Sequence, residues 1–388
     1  MKREKKSIMS LELIVICSVL IVLAVATPFI NNLFRLPQTD ENGKDDSSAS
    51  LPPLSIVIVA SNNAPELRAN LPKIFKQDYP PGYDVIVVID KKEDSTEEVL
   101  KHFMSVYPNL YTTFIPGSSR YISRRKLAVT VGVKAAKHEW IVMTDASCAP
   151  ATDKWLAAMA SHCADDVDLV LGYSLYDEGT SRRQLFERMS RELYILGEAR
   201  RGTAYRSEGN NIMFRKSLFI NGRGYEGNLR YSIGEYDFLV NKYSTGDNTA
   251  VELSPEAWIT ELDGGSRQWK GKRVCYIETR RHLQRTFKHY LPAAIDKTAA
   301  LVNSILIIAA IIVSVCLSQW IMLAAALSAL VITIVLRTLI GSKAVGRYCP
   351  GVAAWRIVPL EIGMMLGNIG YGIKHGMADK SDFICHKV

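Results

Sequence analysis

Four short runs of strand character between residues 54 and 145 alternate with stretches of helical periodicity, and this alternation restricts the fold more than any other feature of the chain. Most of the runs are apolar throughout, as in strands that are buried on both faces. Between them, apolar residues recur three or four positions apart, which is the spacing of one helix face. The predicted strands are Leu54–Ala60, Tyr83–Ile89, Leu110–Phe114 and Trp140–Asp145. Such alternation predicts a mostly parallel, doubly wound α/β sheet with right-handed crossovers.

Acidic residues stand at the ends of two of these strands. Asp90 follows the second strand, and Asp145 ends the fourth. Ligands of open α/β sheets bind at the carboxyl ends of the strands. A carboxylate there can hold a divalent cation against phosphates, because Mg²⁺ prefers oxygen ligands and takes only one or two from the protein. Asp145 alone is equally compatible with a cap on the helix predicted to begin near Asp153.

Composition and missing motifs exclude several functional classes. No GxGxxG, the motif of dinucleotide oxidoreductases, occupies the turn after the first strand, and the GxxxxGK[ST] of P-loop enzymes occurs nowhere in the sequence. The net charge is +8, but the basic residues cluster beside apolar runs rather than interleaving with aromatic residues, so no nucleic-acid partner is expected. The 7 cysteines form no CxxC pair, which indicates reduced thiols and no zinc site.

An ordered set of motifs between residues 54 and 290 resembles the membrane-bound bacterial glycosyltransferases of family 2. The resemblance implies the GT-A fold of nucleotide-diphospho-sugar transferases, a doubly wound mixed α/β sheet. Each motif is weak alone, but their order is specific. The motifs are the first strand with residues 61–63, the second strand with Asp90, the basic residues 124–126, residues 144–147, residues 208–219, residues 234–242 and residues 278–282.

The resemblance implies a nucleotide-sugar site made of Ala60, Asn62, Asp90, Lys126 and Asp145. Asp90 would accept a hydrogen bond from the nucleobase. Asp145 would face the diphosphate and a metal ion, Mg²⁺ or Mn²⁺, while Lys126 or one of the two preceding arginines would lie near the phosphates. The chemistry needs such cations, because a nucleoside diphosphate leaves only if its growing charge is neutralised.

The resemblance also implies an inverting reaction, in which a general base takes the proton of the acceptor hydroxyl. Asp237 or Glu235 is the base, or the base is absent, since Tyr236 stands at the middle position of the family's acidic motif. The second acidic position of the metal-binding DxD motif is Ser147. The acceptor side would contain Glu208, Gly209, Asn210 and Arg281.

The apolar runs predict a membrane protein. Residues 9–30 are apolar apart from Glu12 and long enough to cross a hydrocarbon core of about 30 Å. A secretory signal is the alternative, but no A-x-A cleavage pattern follows. We therefore divide the chain into an N-terminal transmembrane anchor (1–30), a polar linker (31–53), a GT-A domain (54–290), a transmembrane hairpin (291–340) and an interfacial or membrane-associated segment (341–388).

Charge around the hairpin predicts its orientation. Basic residues flank both of its ends, so both ends and the catalytic domain are expected in the cytoplasm. The four basic residues before residue 7 argue for the opposite orientation, and we resolve the conflict with the hypothesis that Met9 is the true start.

The sequence thus predicts a multi-pass protein of the inner or cell membrane that transfers a sugar from a nucleotide-diphosphate donor, a UDP-sugar, to a lipid-linked or polysaccharide acceptor. The alternative is a catalytically altered family member that acts as a non-catalytic membrane subunit.

Overall fold

The computed structural model describes residues 2–31, 33, 51–89, 94–115, 123–262 and 265–384. Asp90, the predicted nucleobase ligand, lies outside them. The chain forms two compact units, one made of Met1–Leu36 with Phe287–Leu366 and the other of Pro37–Thr286 with Gly367–Val388. We call the first the membrane unit, after its apolar helices, and the second the catalytic unit, after the role that the sequence predicts for it.

The helices and strands of the described residues are numbered separately, in chain order. The helices are α1 (Lys2–Ile30), α2 (Ala64–Phe75), α3 (Asp94–Val106), α4 (Arg124–Ala135), α5 (Trp155–Ala160), α6 (Arg182–Arg201), α7 (Lys216–Asn221), α8 (Glu235–Tyr243), α9 (Ser266–Arg281), α10 (Thr286–Cys316), α11 (Trp320–Tyr348) and α12 (Ile357–Met377). The strands are β1 (Leu54–Ala60), β2 (Tyr83–Ile89), β3 (Leu110–Phe114), β4 (Trp140–Asp145), β5 (Cys148–Pro150), β6 (Leu169–Gly172), β7 (Ser174–Tyr176), β8 (Ile212–Arg215), β9 (Thr249–Glu252) and β10 (Ile259–Glu261).

A seven-stranded mixed sheet forms the centre of the catalytic unit, in the order β3-β2-β1-β4-β8-β6-β9. The first four strands in this order are parallel, as predicted, whereas β8 is antiparallel to both of its neighbours. Every residue of β1 is buried, which explains its unbroken apolar sequence. In the sheet register Val59 lies beside Asp145 and Ala60 lies beside Ile89, so β1, β2 and β4 end at one edge.

The hydrophobic core of the catalytic unit lies between this sheet and helices α2, α3 and α5. Alternate β1 residues, including Ile56 and Ile58, pack with Leu67 and Leu71 of α2. Their side chains are almost fully buried. A second sheet of three strands, in the order β5-β10-β7, begins directly beyond β4. Asp145, the last residue of β4, therefore lies where the chain leaves the hydrophobic core and turns into β5.

In the part of the chain that the structure describes, the membrane unit contains three helices that are long and apolar enough to cross a bilayer, at Leu11–Ile30, Thr286–Cys316 and Trp320–Tyr348. Among the described residues α12 is not one of these. Small and apolar residues of α1 and α11, such as Ala24 and Ala326, pack together in its interior.

One buried ionic network connects four segments of the membrane unit. Arg337 of α11 lies 2.8 Å from Glu361 of α12 and 3.7 Å from Asp296 of α10. The amide of Asn31, at the end of α1, donates to the other oxygen of Glu361 at 2.7 Å. A charged arginine inside an apolar helix bundle needs such partners, because an unpaired buried charge is strongly unfavourable.

Candidate active site

Two carboxylates predicted from separate motifs meet at one guanidinium group. Asp145 is the last residue of β4, and Glu235 is the first residue of α8. Arg125, in the first turn of α4, donates from Nη2 to both oxygens of Asp145 and from Nε to Glu235. The hydroxyl of Tyr236 donates to Oδ1 of Asp145 at 3.1 Å. The arrangement brings the ends of a strand and two helices to one point.

The turn before α8 requires glycine. Gly234 has a φ of +95°, a conformation that residues with a side chain rarely adopt. A Cβ atom at this position would lie 2.3 Å from Cγ2 of Thr279 in α9. The turn places Glu235 in the first turn of a helix, where the helix dipole favours a negative charge.

Burial and the arginine act in opposite directions on the two carboxyl groups. Burial raises the pKa of Asp145, and the nearby Arg125 only partly offsets this increase. Burial alone would also raise the pKa of Glu235, but the charge and hydrogen bond of Arg125 outweigh it, so that pKa is lowered. Glu235 is therefore held in its ionised form by the arginine.

A cavity of about 100 Å³ opens beside this cluster. Four of the predicted site residues line it: Asp145, Glu208, Asn210 and Glu235. The rest of the lining is rich in cationic and aromatic side chains. These are Arg125, Tyr176, Arg188, Arg191, Trp269, Lys272, Arg273 and Tyr276, together with Ile233 and Glu261. Such a lining can bind a polar molecule that carries negative charge.

Glu208 lines the cavity, and arginine side chains surround its carboxylate. Its Oε1 lies 2.8 Å from Nη2 of Arg280 and also pairs with Arg206, and its Oε2 lies 3.4 Å from Nη2 of Arg191. Burial would raise the pKa of Glu208, but these arginines outweigh it and hold the pKa well below its usual value. Glu208 therefore carries a permanent charge that fixes the arginine side chains.

Asp237 shares Arg280 with Glu208. The Arg280 Nε donates to Oδ2 of Asp237 at 3.0 Å, while the buried Oδ1 has no hydrogen-bond partner among the described residues. Burial raises the pKa of Asp237, partly opposed by Arg280. Asp237 thus belongs to the arginine cluster behind the cavity wall.

The backbone at Gly209 packs closely against side chains of β7 and α6, which would have to move to make room for any other residue. A Cβ atom there would lie 1.9 Å from Oγ of Ser174 and 2.6 Å from Oε1 of Glu192. Next to it, Asn210 donates from Nδ2 to the sulfur of Cys148 at 3.1 Å. Burial raises the pKa of the Cys148 thiol to about 12, so the sulfur stays protonated and neutral.

Two of the predicted cationic residues, Lys126 and Arg281, are not among the residues that line the cavity. Lys126 is fully buried, and its ammonium group donates to the carbonyl oxygens of Asn228 and Tyr231 at 2.9 and 2.8 Å. The cation beside Asp145 is its neighbour Arg125. Likewise, Arg281 is exposed at the end of α9, and Arg280 is the residue that contacts the site.

The two remaining predicted residues that the structure describes, Ala60 and Asn62, lie at or just after the carboxyl end of β1. Ala60 is fully buried at the end of β1, and Asn62 is exposed with a φ of 57°, which asparagine tolerates better than most residues.

Sequence reasoning missed the cavity-lining arginines of α6 and α9. The available signal was an alternation of opposite charges four residues apart on α6, where Arg188 pairs with Glu192 and Glu187 with Arg191. These pairs occur next to apolar residues that face the core, such as Phe186. Alternating charges on a helix usually indicate a solvent-exposed face, so this signal alone does not identify the arginines as cavity-lining.

The residues around Asp145 fit a divalent cation. Oxygen atoms of Asp145 and Glu235 converge on the Arg125 guanidinium, which shows that this place accepts positive charge. In the part of the chain that the structure describes, no group of three or more His, Cys, Asp and Glu side chains could enclose a metal by itself. A hard cation that also binds phosphate oxygens and water needs only one or two protein carboxylates. Asp145, with the half-buried Ser147 beyond it, suits such an open site.

Comparison with protein families decides the class of the chain. The model of glycosyl transferase family 21 matches residues 16–240. The chain belongs to glycosyl transferase family 21. The family 21 protein is therefore a glycosyltransferase, and the family is a different one from family 2, whose motifs its sequence resembles. No curated protein matches it significantly in sequence.

Solved structures show the fold of the family 21 protein. It is similar to the mannosyltransferase PcManGT from Pyrobaculum calidifontis in complex with GDP-Man and Mn²⁺, with a TM-score of 0.58 and 18% identity over 95% of this chain and 99% of that one. It also matches GalNAc-T7 with UDP, GalNAc and Mn²⁺, with a TM-score of 0.40 and 15% identity over 59% and 48% of the two chains. The predicted GT-A fold is confirmed.

Proposed function

We propose that the family 21 protein is a membrane-bound inverting glycosyltransferase, which moves a sugar from a nucleotide-diphosphate donor to a lipid-linked or polysaccharide acceptor. One observation carries the proposal: Asp145 and Glu235 line the same cavity and share one guanidinium group. Asp145 can hold a metal ion at the leaving diphosphate, and Glu235 can accept the proton of the attacking hydroxyl. The three apolar helices support a membrane location, and the charge flanking the hairpin supports a cytoplasmic catalytic unit.

Asp145 is the proposed ligand of Mg²⁺ or Mn²⁺. When bound, the metal ion would neutralise the charge that develops on the leaving nucleoside diphosphate. Arg125 supplies a second positive charge from the protein, with the other cavity-lining cations behind it. Ala60, Asn62 and Asp90 are the proposed contacts of the nucleoside.

Arg125 links donor binding to the basicity of Glu235. In the resting structure the guanidinium binds both carboxylates. A donor diphosphate offers it a stronger negative charge, and movement toward the phosphates would release Glu235. Since Arg125 is what lowers the pKa of Glu235, its departure would raise that pKa and make the carboxylate a better proton acceptor.

Glu235 is the better of the two candidate bases. It lines the cavity, so its carboxylate can meet an acceptor hydroxyl that is bound there. Asp237 binds Arg280, which also holds Glu208. Its proposed role is to position this arginine on the acceptor side, together with Glu208, Gly209 and Asn210.

The test is sugar transfer by the purified full chain in detergent, using a panel of UDP- and GDP-sugars with Mn²⁺. We expect one donor to support transfer and E235Q to lower kcat by about 100-fold or more, within the usual range for a lost general base. D237N should retain more activity than E235Q. Donor binding without turnover, unchanged by E235Q, would instead favour a non-catalytic subunit.

The stereochemistry is tested on the same product. The anomeric configuration, measured by NMR, should be opposite to that of the donor sugar. Retention of configuration would contradict a single displacement with Glu235 as the base.

A further inference from the structure

The loop that leads into α8 is held on one side by α4. The backbone amide of Ser123 donates to the carbonyl of Leu229 at 2.9 Å, and the Ser123 hydroxyl donates to the carbonyl of Ser232 at 2.9 Å. Lys126 adds its two bonds to the carbonyls of Asn228 and Tyr231. These contacts hold the backbone of the loop at residues 228–232, immediately before Gly234 and Glu235.

The other side of the same loop is held by the C-terminal part of the catalytic unit. Both the backbone amide and the hydroxyl of Ser232 donate to the carbonyl of Phe383, at 3.1 and 3.2 Å. Tyr231 and Ile384 form an isolated antiparallel bridge. The side chain of Phe383 is 5% exposed, so the carbonyl that receives Ser232 is anchored by a buried ring.

The C-terminal part is in turn fixed to α9. Nε2 of His375 lies 2.7 Å from Oε2 of Glu278, whose Oε1 binds His282 at 3.0 Å. The rings of His375 and Phe383 stack with their centroids 5.6 Å apart. Four residues before His375, the ring of Tyr371 packs edge-on against that of Trp269, with a centroid distance of 5.7 Å.

We propose that residues 371–384 form a clasp that positions the Glu235 carboxylate for catalysis. The clasp and α4 both bind the same loop, and that loop ends on the glycine turn that sets the direction of α8. The proposal rests on the role given to Glu235 above. Phe383 and His375 are positioning residues, since they act through the loop and through Glu278. A displacement of about 1 Å at a reacting group can cost about 100-fold in rate.

Three variants of the full chain test the clasp: F383A, H375A and H375Q. F383A and H375A should lower kcat by about 10- to 100-fold and leave the KM of the donor within about twofold. Donor binding measured by calorimetry should keep the stoichiometry of the unmodified chain, which separates misplacement from loss of folded protein. H375Q should recover much of the activity, because its amide can still donate to Glu278. K380A, which changes an exposed side chain in the same segment, is the matched control.

Amide hydrogen exchange supplies the second readout. In F383A, exchange should become faster at residues 225–240 and stay unchanged in β1. Wild-type kcat in F383A or H375A, or equal acceleration of exchange in β1, would overturn the clasp. If E235Q turns over like the wild type, the proposed base is wrong. If E235Q is inactive while F383A is fully active, only the clasp is wrong. Should F383A fail to fold, the comparison of H375A with H375Q decides.

Discussion

Replacing Arg125 by methionine should increase the affinity of the protein for Mn²⁺ while decreasing its turnover. The guanidinium occupies the oxygens of Asp145 that a metal ion would use. A metal must therefore displace the arginine from this carboxylate before it can bind. Methionine keeps the apolar stem of the side chain and removes the competing charge.

The size of the effect follows from the bonds that the metal replaces. A hydrogen bond to a charged group contributes about 1.5–3 kcal/mol. The Arg125 side chain is 37% exposed, so solvent screens part of this energy, and we use about 1–2 kcal/mol. At about 1.4 kcal/mol per factor of ten, the Mn²⁺ dissociation constant should fall roughly 5- to 30-fold. Turnover should fall about 100-fold, because one cation facing the diphosphate is lost.

The assay is a Mn²⁺ titration of the detergent-solubilised protein followed by electron paramagnetic resonance. The titration is repeated at increasing pH, because burial raises the pKa of Asp145 and the ionised carboxylate is the form that binds a metal ion. R281Q is the matched control, since it removes the same charge from an exposed position on α9. An unchanged or weaker Mn²⁺ affinity in R125M than in R281Q would refute the competition between arginine and metal.

Three further predictions concern stability. E208Q should destabilise the catalytic unit by about 3–5 kcal/mol, because it leaves largely buried arginines without their negatively charged partner. E226Q, which changes an exposed ion pair, should alter the melting temperature little. R337M should lower the melting temperature of the detergent-solubilised protein, and the exposed substitution R347Q should not. Burial raises the pKa of Glu192 from 4.5 to about 7, so the folded state keeps a proton that the unfolded state releases. Stability should therefore fall as the pH rises from about 4.5 to about 7, and E192Q should remove this part of the decrease in a series of thermal melts.

The parallel half of the sheet was predictable because each strand is a short apolar run bounded by polar or turn-forming residues. The predicted bounds of β1, β2, β3 and β4 coincide with those of the structure. The antiparallel strand β8 was not predicted. It has only four residues, and its position between β4 and β6 depends on long-range pairing that local sequence does not encode.

The carboxylates of the cavity were easier to predict than its cations. Asp145 follows directly from the end of a strand, and the start of α8 is marked by Gly234. Neighbouring helix residues point about 100° apart, so a basic pair on a helix does not reveal which member faces the site. This is why the sequence favoured Lys126 and Arg281, whereas the contacts are made by Arg125 and Arg280.

The hydrogen bond between Asn31 and Glu361 has a consequence for biosynthesis. The two residues are separated by 330 positions, yet the bond helps to complete the buried network of the membrane unit. At about 5–20 residues per second, synthesis of the intervening chain takes roughly 15 to 65 s. During that time Asn31 has already been synthesised, whereas its partner has not. A chain whose synthesis stops before residue 361 would lack the nearest counterion of Arg337, so this buried charge would stay only partly compensated.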